Sequence, residues 1–196
     1  ILGNEEKFNF DKYLNFLNSK TPKIIVNDIM SVRETANHFI NGFDKNARAF
    51  IQIQTGCDHR CTFCIIPYGR GNSRSVSIEK ICTQIKILLE KGFKEIVLSG
   101  VDLTSYGKGL LGKPTLGKLI KKIFKNVKNL ERLRLSSLDA IEMDKDLIDV
   151  ICHEKRLMPH LHLSIQSGDN IILKRMKRRH SREDIIKLCN NLKKFR

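Results

Sequence analysis

No apolar run in this sequence approaches the roughly eighteen residues that a bilayer-spanning helix needs, which excludes a helical membrane span. Cysteine is too scarce for a disulfide scaffold: there are six in 196 residues, three of them packed into eight positions and three scattered. Metal ligands in a reducing cytosol, and with them a cytoplasmic location, are therefore expected. Acidic side chains are also short, 21 against 36 Lys+Arg, which leaves a net charge of +15. Fixed-period repeats and low-complexity segments are absent, so a repeat array is not expected. The content of 41% hydrophobic and 29% charged residues belongs to a folded rather than a disordered chain, with length for one to two domains around one sizeable core. The chain opens at Ile1 without an initiator methionine, shows no charged-then-apolar leader, and stops at Arg196 inside a helical pattern. It reads as a fragment.

Charge is unevenly spread. Residues 1–46 carry six basic and six acidic side chains and sum to zero, whereas Lys174 to Arg196 carry ten basic and two acidic and sum to +8. A downstream basic field attracts polyanions such as nucleic acid; a solvated lysine-rich surface is the alternative.

Residues 1–46 read as the tail of an upstream α/β domain, with a short helix around Phe10 to Asn18, a brief strand Ile24 to Val26, and a polar connection through Asn41, Gly42 and Asp44. A second domain occupies residues 47–196. Strands are expected at FIQIQ (50–54), EIVLS (95–99), RLRLS (132–136) and HLHLSIQ (160–166). Helices fit between them. Ser77 to Lys91 has apolar residues at helical spacing, Ser77 as N-cap and Gly92 as stop, while Leu116 to Phe124 and Leu147 to Ile151 repeat the pattern more briefly. Strands joined by a dozen residues or more argue a parallel sheet with right-handed crossovers.

Three of these strands have one polar face. Ile51 and Ile53 alternate with Gln52 and Gln54, Leu133 and Leu135 with Arg132, Arg134 and Ser136, and Leu161, Leu163 and Ile165 with His162, Ser164 and Gln166. A closed barrel packs its interior with aliphatic side chains, so a polar inner face points to a partial, open (β/α) barrel around a wet chamber. An antiparallel sheet with one solvated face is the alternative. The strands end on TGC, SGVD, SSLD and QSGD, and ligands of parallel α/β folds bind at such ends.

The central signal is TGCDHRCTFCIIPYGRG at 55–71, in which Cys57, Cys61 and Cys64 follow the first strand as CxxxCxxC. Three thiolates on one loop can grip three corners of one iron–sulfur cluster. Structural zinc needs four closed ligands, which would recruit His59 or a distant cysteine, and a ferredoxin normally brings a fourth cysteine to each four-iron cluster. The fourth corner here stays open. Phe63, Ile65 and Ile66 would shield the cluster from water.

This motif, with an aromatic residue before the last cysteine, resembles the radical S-adenosylmethionine (SAM) superfamily. TGCDHRCTFCIIPYGRGNSRS, GVDLTSYG, RLSSLD, and HLHLSIQSG with KRMKRRHS further resemble its methylthiotransferases. GVDLTSYG looks like the branch that modifies threonylcarbamoyladenosine in tRNA, and GNEEK at 3–7 is similar to the end of that family's amino-terminal domain. The family's second cluster, its last barrel strands and its carboxyl-terminal RNA-binding domain have no counterpart here. Cys82, Cys152 and Cys189 are expected as small buried core residues.

The resemblance implies a [4Fe-4S] cluster on Cys57, Cys61 and Cys64, with SAM chelating the open iron. One electron, from a donor such as a flavodoxin or ferredoxin, would split its sulfonium bond to methionine and a 5′-deoxyadenosyl radical. Phe63, Ser99, Gly100, Val101, Ser136 and Gln166 are the expected cofactor-binding residues. Arg70, Arg74, Arg175 and Arg178 are the expected contacts to tRNA phosphates, the target being carbon 2 of an adenosine in the single-stranded anticodon loop. His160 and His162 are expected in the core or the chamber wall, and Asp102 and Asp139 as helix caps or, equally, as catalytic groups. A second cluster is expected only in the longer protein, and a monomer is expected. The rivals are the branch that methylthiolates a ribosomal protein, a zinc-stabilised RNA-binding module without catalysis, and a fragment that binds cluster and cofactor but, without the sulfur-supplying cluster, is incomplete for full turnover on RNA.

Overall fold

In the computed structural model of the chain, residues 1–4, 6–9, 24–33 and 47–195 are described. From Ala49 onward strands and helices alternate as the apolar pattern requires. Strand β1 (Ala49–Thr55) pairs in parallel with β3 (Glu95–Gly100), and β3 in parallel with β4 (Arg132–Leu135). A two-residue return strand, β2 (Arg74–Ser75), runs antiparallel on β1 through Gln54 and Thr55, giving the order β2-β1-β3-β4. Past Ser136, β5 (Ser137–Leu138) pairs in parallel with β6 (His162–Leu163) as a separate two-stranded sheet. The result is a mixed α/β fold whose parallel core does not close.

The helices begin where short polar side chains can satisfy free backbone N–H groups. After the short α1 (Ile66–Arg70), α2 (Ile78–Glu90) starts at Ser77, whose hydroxyl accepts from the Lys80 N–H, and it ends before Gly92 at φ +90°. Thr115 caps α3 (Leu116–Asn126) and Asp144 caps α4 (Lys145–His153). Asp169 caps α5 (Asn170–Arg175), and Ser181 and Asp184 form a capping box on α6 (Arg182–Leu192).

The core lies between the sheet and the helices. Ile51, Ile53, Ile96, Leu98, Leu133 and Leu135 pack with Ile81, Ile85 and Leu88 of α2 and Leu119, Ile120 and Ile123 of α3. Each such side chain contributes about 1.5–3 kcal/mol by leaving water. Gly117 lets α3 approach α4 closely: a Cβ there would meet the Leu147 nitrogen at 2.2 Å. No helix among the described residues is long and apolar enough to cross a membrane.

Two expected strands differ in the structure, and two expected segments fall outside the described residues. The strand over 160–166 shrinks to His162–Leu163, because the His160 N–H turns back to the Met158 carbonyl, the Ile165 N–H turns back to Leu163, and Gln166 sits at φ +74°. Residues 24–26 provide one bridge, Ile25 against Leu2, rather than a strand. The helix over Phe10 to Asn18 and the connection through Asn41, Gly42 and Asp44 lie outside the described residues.

Candidate functional site

The three clustered cysteines lie on the loop that leaves β1. That loop turns at Gly56, which has φ +73° and where a Cβ would fall 2.0 Å from the Asn72 carbonyl oxygen. Only glycine fits there. The Cys57 N–H donates to the Gly71 carbonyl at 3.1 Å, and the Cys64 N–H donates to Cys61 at 3.1 Å, folding the loop on itself. Its far side is tied across the barrel. The Thr62 N–H donates to the Met176 carbonyl and its hydroxyl to the Arg175 carbonyl, each at 3.3 Å.

All three thiols are free, half-buried, and open on one cavity. Each strand end adds to its wall: Val101 and Asp102 after β3, Ser137 and Asp139 at and after β5, Ser164 and Gln166 after β6. With its open mouth and the solvent in it the cavity encloses about 610 Å³. Phe63 and Ile66 supply apolar wall, whereas Ile65 is turned out to solvent at 74% exposure.

A chain of charges runs around the cavity. His59 Nε2 lies 3.2 Å from Asp102 Oδ2 and 3.3 Å from Glu142 Oε1. Those two carboxylates outweigh burial and lift the imidazole to about 9, so it is a cation at neutral pH. Burial works against charge on Asp102, but the bonds from His59 and Ser105 hold it below its ordinary value. Glu142 is held low by His59 and by Arg179, which also contacts Asp139 at 2.8 Å. Arg178 completes the chain on Asp139 at 3.1 Å and on the Ser164 carbonyl at 2.7 Å. Cys57 Sγ lies 3.7 Å from Asp102 Oδ2, and burial, with that carboxylate adding to it, pushes the thiol up to about 11. Such a thiol gives up its proton at neutral pH only to a metal.

The expected cofactor residues divide. Phe63, Val101 and Gln166 line the cavity. Ser99 and Gly100 do not line it, and a Cβ on Gly100 would press on Gln54 and Leu103 at 3.0 Å, so this glycine serves packing. Ser136 is replaced in the wall by Ser137, because the chain breaks between β4 and β5 and the alternation shifts by one. Of the expected RNA contacts, Arg70 and Arg175 are exposed. Arg74 and Arg178 are not available to phosphate. Arg74 is buried and donates to the carbonyls of Arg70, Asn72 and Val32, and Arg178 points into the cavity.

The remaining assignments also resolve. His162 is an exposed partner of the Ser137 hydroxyl at 3.1 Å, and His160 is exposed. Asp139 does cap the turn it begins, through the Ile141 N–H, but the Asp102 side chain bonds Ser105 and Thr104 hydroxyls instead. Cys82 is buried in the core, while Cys152 and Cys189 are only half-buried. Sequence reasoning missed the charge chain through Glu142, Arg179 and Asp139. Glu142 and Arg179 stand 37 residues apart, and no spacing rule pairs them.

The Radical SAM superfamily model matches residues 51–196. The chain belongs to the radical SAM superfamily. It is 53% identical over 196 residues to the threonylcarbamoyladenosine tRNA methylthiotransferase MtaB of Rickettsia prowazekii, covering 100% of this chain and 46% of that relative. It is 41% identical over 193 residues to the protein of that name in Aquifex aeolicus, covering 97% of this chain and 46% of the relative. The chain thus spans about half the length of these curated relatives. Its fold is similar to that of the radical SAM methyltransferase TsrM of Kitasatospora setae, with a TM-score of 0.61 and 14% identity over 76% of this chain and 28% of that one.

The radical SAM superfamily implies a [4Fe-4S] cluster and SAM, and the residues present fit them. Three soft thiol donors share one cavity and none of Cys82, Cys152 and Cys189 lines it, so Cys57, Cys61 and Cys64 as thiolates would hold three irons of a cluster and leave the fourth without a cysteine. A rival donor trio, Cys57, His59 and Asp102, has its ligand atoms within 4.8 Å of one another. There His59 and Asp102 are already paired, and a single ion would have to break that pair.

Proposed function

We propose that this chain is the radical SAM core of a tRNA methylthiotransferase that acts on carbon 2 of an N-threonylcarbamoyl-modified adenosine in the anticodon loop. One observation carries the reading: the similarity to a threonylcarbamoyladenosine tRNA methylthiotransferase runs over the whole chain at 53% identity. The cysteine-lined cavity at the strand ends supports it.

Cys57, Cys61 and Cys64 would hold the cluster, which with SAM supplies a 5′-deoxyadenosyl radical. Phe63, itself 51% exposed, and Ile66 would present apolar wall to that reactive species. Gln166, Ser137 and Val101 present polar and apolar wall to the cofactor. Exposed Arg70 and Arg175, within a chain of net charge +15, attract the phosphates that carry the base to the cavity. A flavodoxin or ferredoxin as electron donor, a second cluster in the longer protein as sulfur source, and a cytoplasmic location with access to tRNA belong to the same reading.

The test is nucleoside mass spectrometry of tRNA from cells that lack this modification and express the protein. The 2-methylthio derivative of threonylcarbamoyladenosine is expected with the natural sequence and not with Cys57→Ala. Unmodified tRNA beside a methylthiolated ribosomal protein would overturn the tRNA reading and establish the other branch.

A further inference from the structure

Arg178 occupies an unusual position for an arginine of a basic surface segment. Its side chain is only 8% exposed, and a buried guanidinium must be paired to be tolerated. Nη2 serves Asp139 at 3.1 Å and the Ser164 carbonyl at 2.7 Å, while Nη1 lies 3.7 Å from Cys61 Sγ. Nε is buried with no hydrogen-bond partner. Asp139 does not neutralise this charge alone, because the same carboxylate oxygen also holds Arg179 at 2.8 Å. Cys57 meets the opposite environment, the carboxylate of Asp102 at 3.7 Å. Two thiols of one motif therefore face charges of opposite sign.

We propose that Arg178 is a positioning residue for the cluster, donating an N–H to the Cys61 sulfur and easing the uptake of an electron. Hydrogen bonds to ligating sulfur and nearby buried charge are the means by which a protein sets such a potential. The reduced cluster carries one more negative charge than the oxidised one, so a fixed cation stabilises the reduced form preferentially. The electron comes from a low-potential one-electron donor, and Arg178 itself neither gains nor loses it. Asp139 and the Ser164 carbonyl fix the fork so that Nη1 faces the sulfur without rearrangement. The inference rests on the cluster reading of the site.

The test compares the full chain with Arg178→Gln, Arg178→Lys and, as an exposed cation remote from the cavity, Lys155→Gln. Each is reconstituted anaerobically with iron and sulfide. Iron per chain is counted, the midpoint potential is taken from a dithionite titration followed by electron paramagnetic resonance, and the iron–thiolate stretch is taken by resonance Raman. Arg178→Gln is expected to assemble the cluster with a reduction equilibrium about tenfold less favourable, or roughly 59 mV lower for a one-electron couple, and with a shifted stretch. Arg178→Lys is expected in between, and Lys155→Gln unchanged. A cluster in Arg178→Gln with the natural potential and stretch overturns the proposal. Should that variant fail to retain iron, Arg178→Lys decides: a lowered potential supports the role and an unchanged one overturns it. A natural chain that binds no iron at all removes the cluster reading and this inference together.

Discussion

The side-chain oxygen of Gln54 accepts the backbone N–H of Asp102 at 2.8 Å, so one buried amide joins the loop after β1 to the loop after β3. The other end of that amide donates to the Gly56 carbonyl at 2.8 Å and to the Ser73 hydroxyl at 2.9 Å. Gln54→Leu fills similar space but strands these partners in a dry interior. A loss of about 2–4 kcal/mol is expected in denaturant unfolding of the chain.

Glu95 fixes the opposite end of the sheet, contacting Arg48 at 3.3 Å, Arg132 at 3.1 Å and Arg134. Burial alone would raise its carboxyl, but Arg134 and Arg132 overcome burial and hold it below the ordinary 4.5. A depressed folded value means that the contribution is complete above pH 4.5 and fades as pH falls below it. Glu95→Gln is expected to cost about 1–2 kcal/mol at pH 7, a modest figure because Arg132 is partly solvated. Thermal melts should show a constant gap between variant and natural chain above about pH 4.5 and a gap that closes as pH falls below it.

Gly117→Ala would drive a methyl group into backbone, 2.2 Å from the Leu147 nitrogen and 2.5 Å from the Asp146 carbonyl carbon. Helix propensity alone favours alanine by up to about 1 kcal/mol. The clash is expected to win, with a net loss of about 1–3 kcal/mol read by chemical unfolding.

Gln166 holds φ +74° while lining the cavity, a conformation that costs a non-glycine residue about 1 kcal/mol. Gln166→Gly should relieve that strain and raise stability by roughly 0.5–1 kcal/mol. It should also remove a polar group from the cavity wall, and if SAM binds there as proposed, weaken its binding about fivefold, the equivalent of one hydrogen bond. Calorimetric melting and equilibrium dialysis on the reconstituted chain read the two effects separately.

The sequence made the repeating parts legible. Isoleucines at 51 and 53, the apolar spacing of α2 and its Ser77 cap were enough to place β1 and α2 within a residue or two. The cysteine spacing located the cavity, because three thiols in eight positions have few other uses. Less legible were features set by tertiary geometry. The shortening of the last strand depends on the turn at Gln166, and the exchange of Ser136 for Ser137 depends on a one-residue break between sheets. Arg74 and Arg178 looked like surface cations because charge alone does not tell a rim from an interior. Their fates were decided by carbonyls, by Asp139 and by Cys61, which only the fold brings to them.

The two bonds from Thr62 to Arg175 and Met176 span 113 residues or more. Synthesis proceeds from the amino terminus at about 5–20 residues per second, so the cysteines emerge roughly 6–23 s before the segment that closes over them. During that interval the nascent thiols stand without their clasp. The loop that bears the cysteines can therefore be closed only after the segment around Arg175 has been made, and until then its thiols are open to metal and oxidant alike.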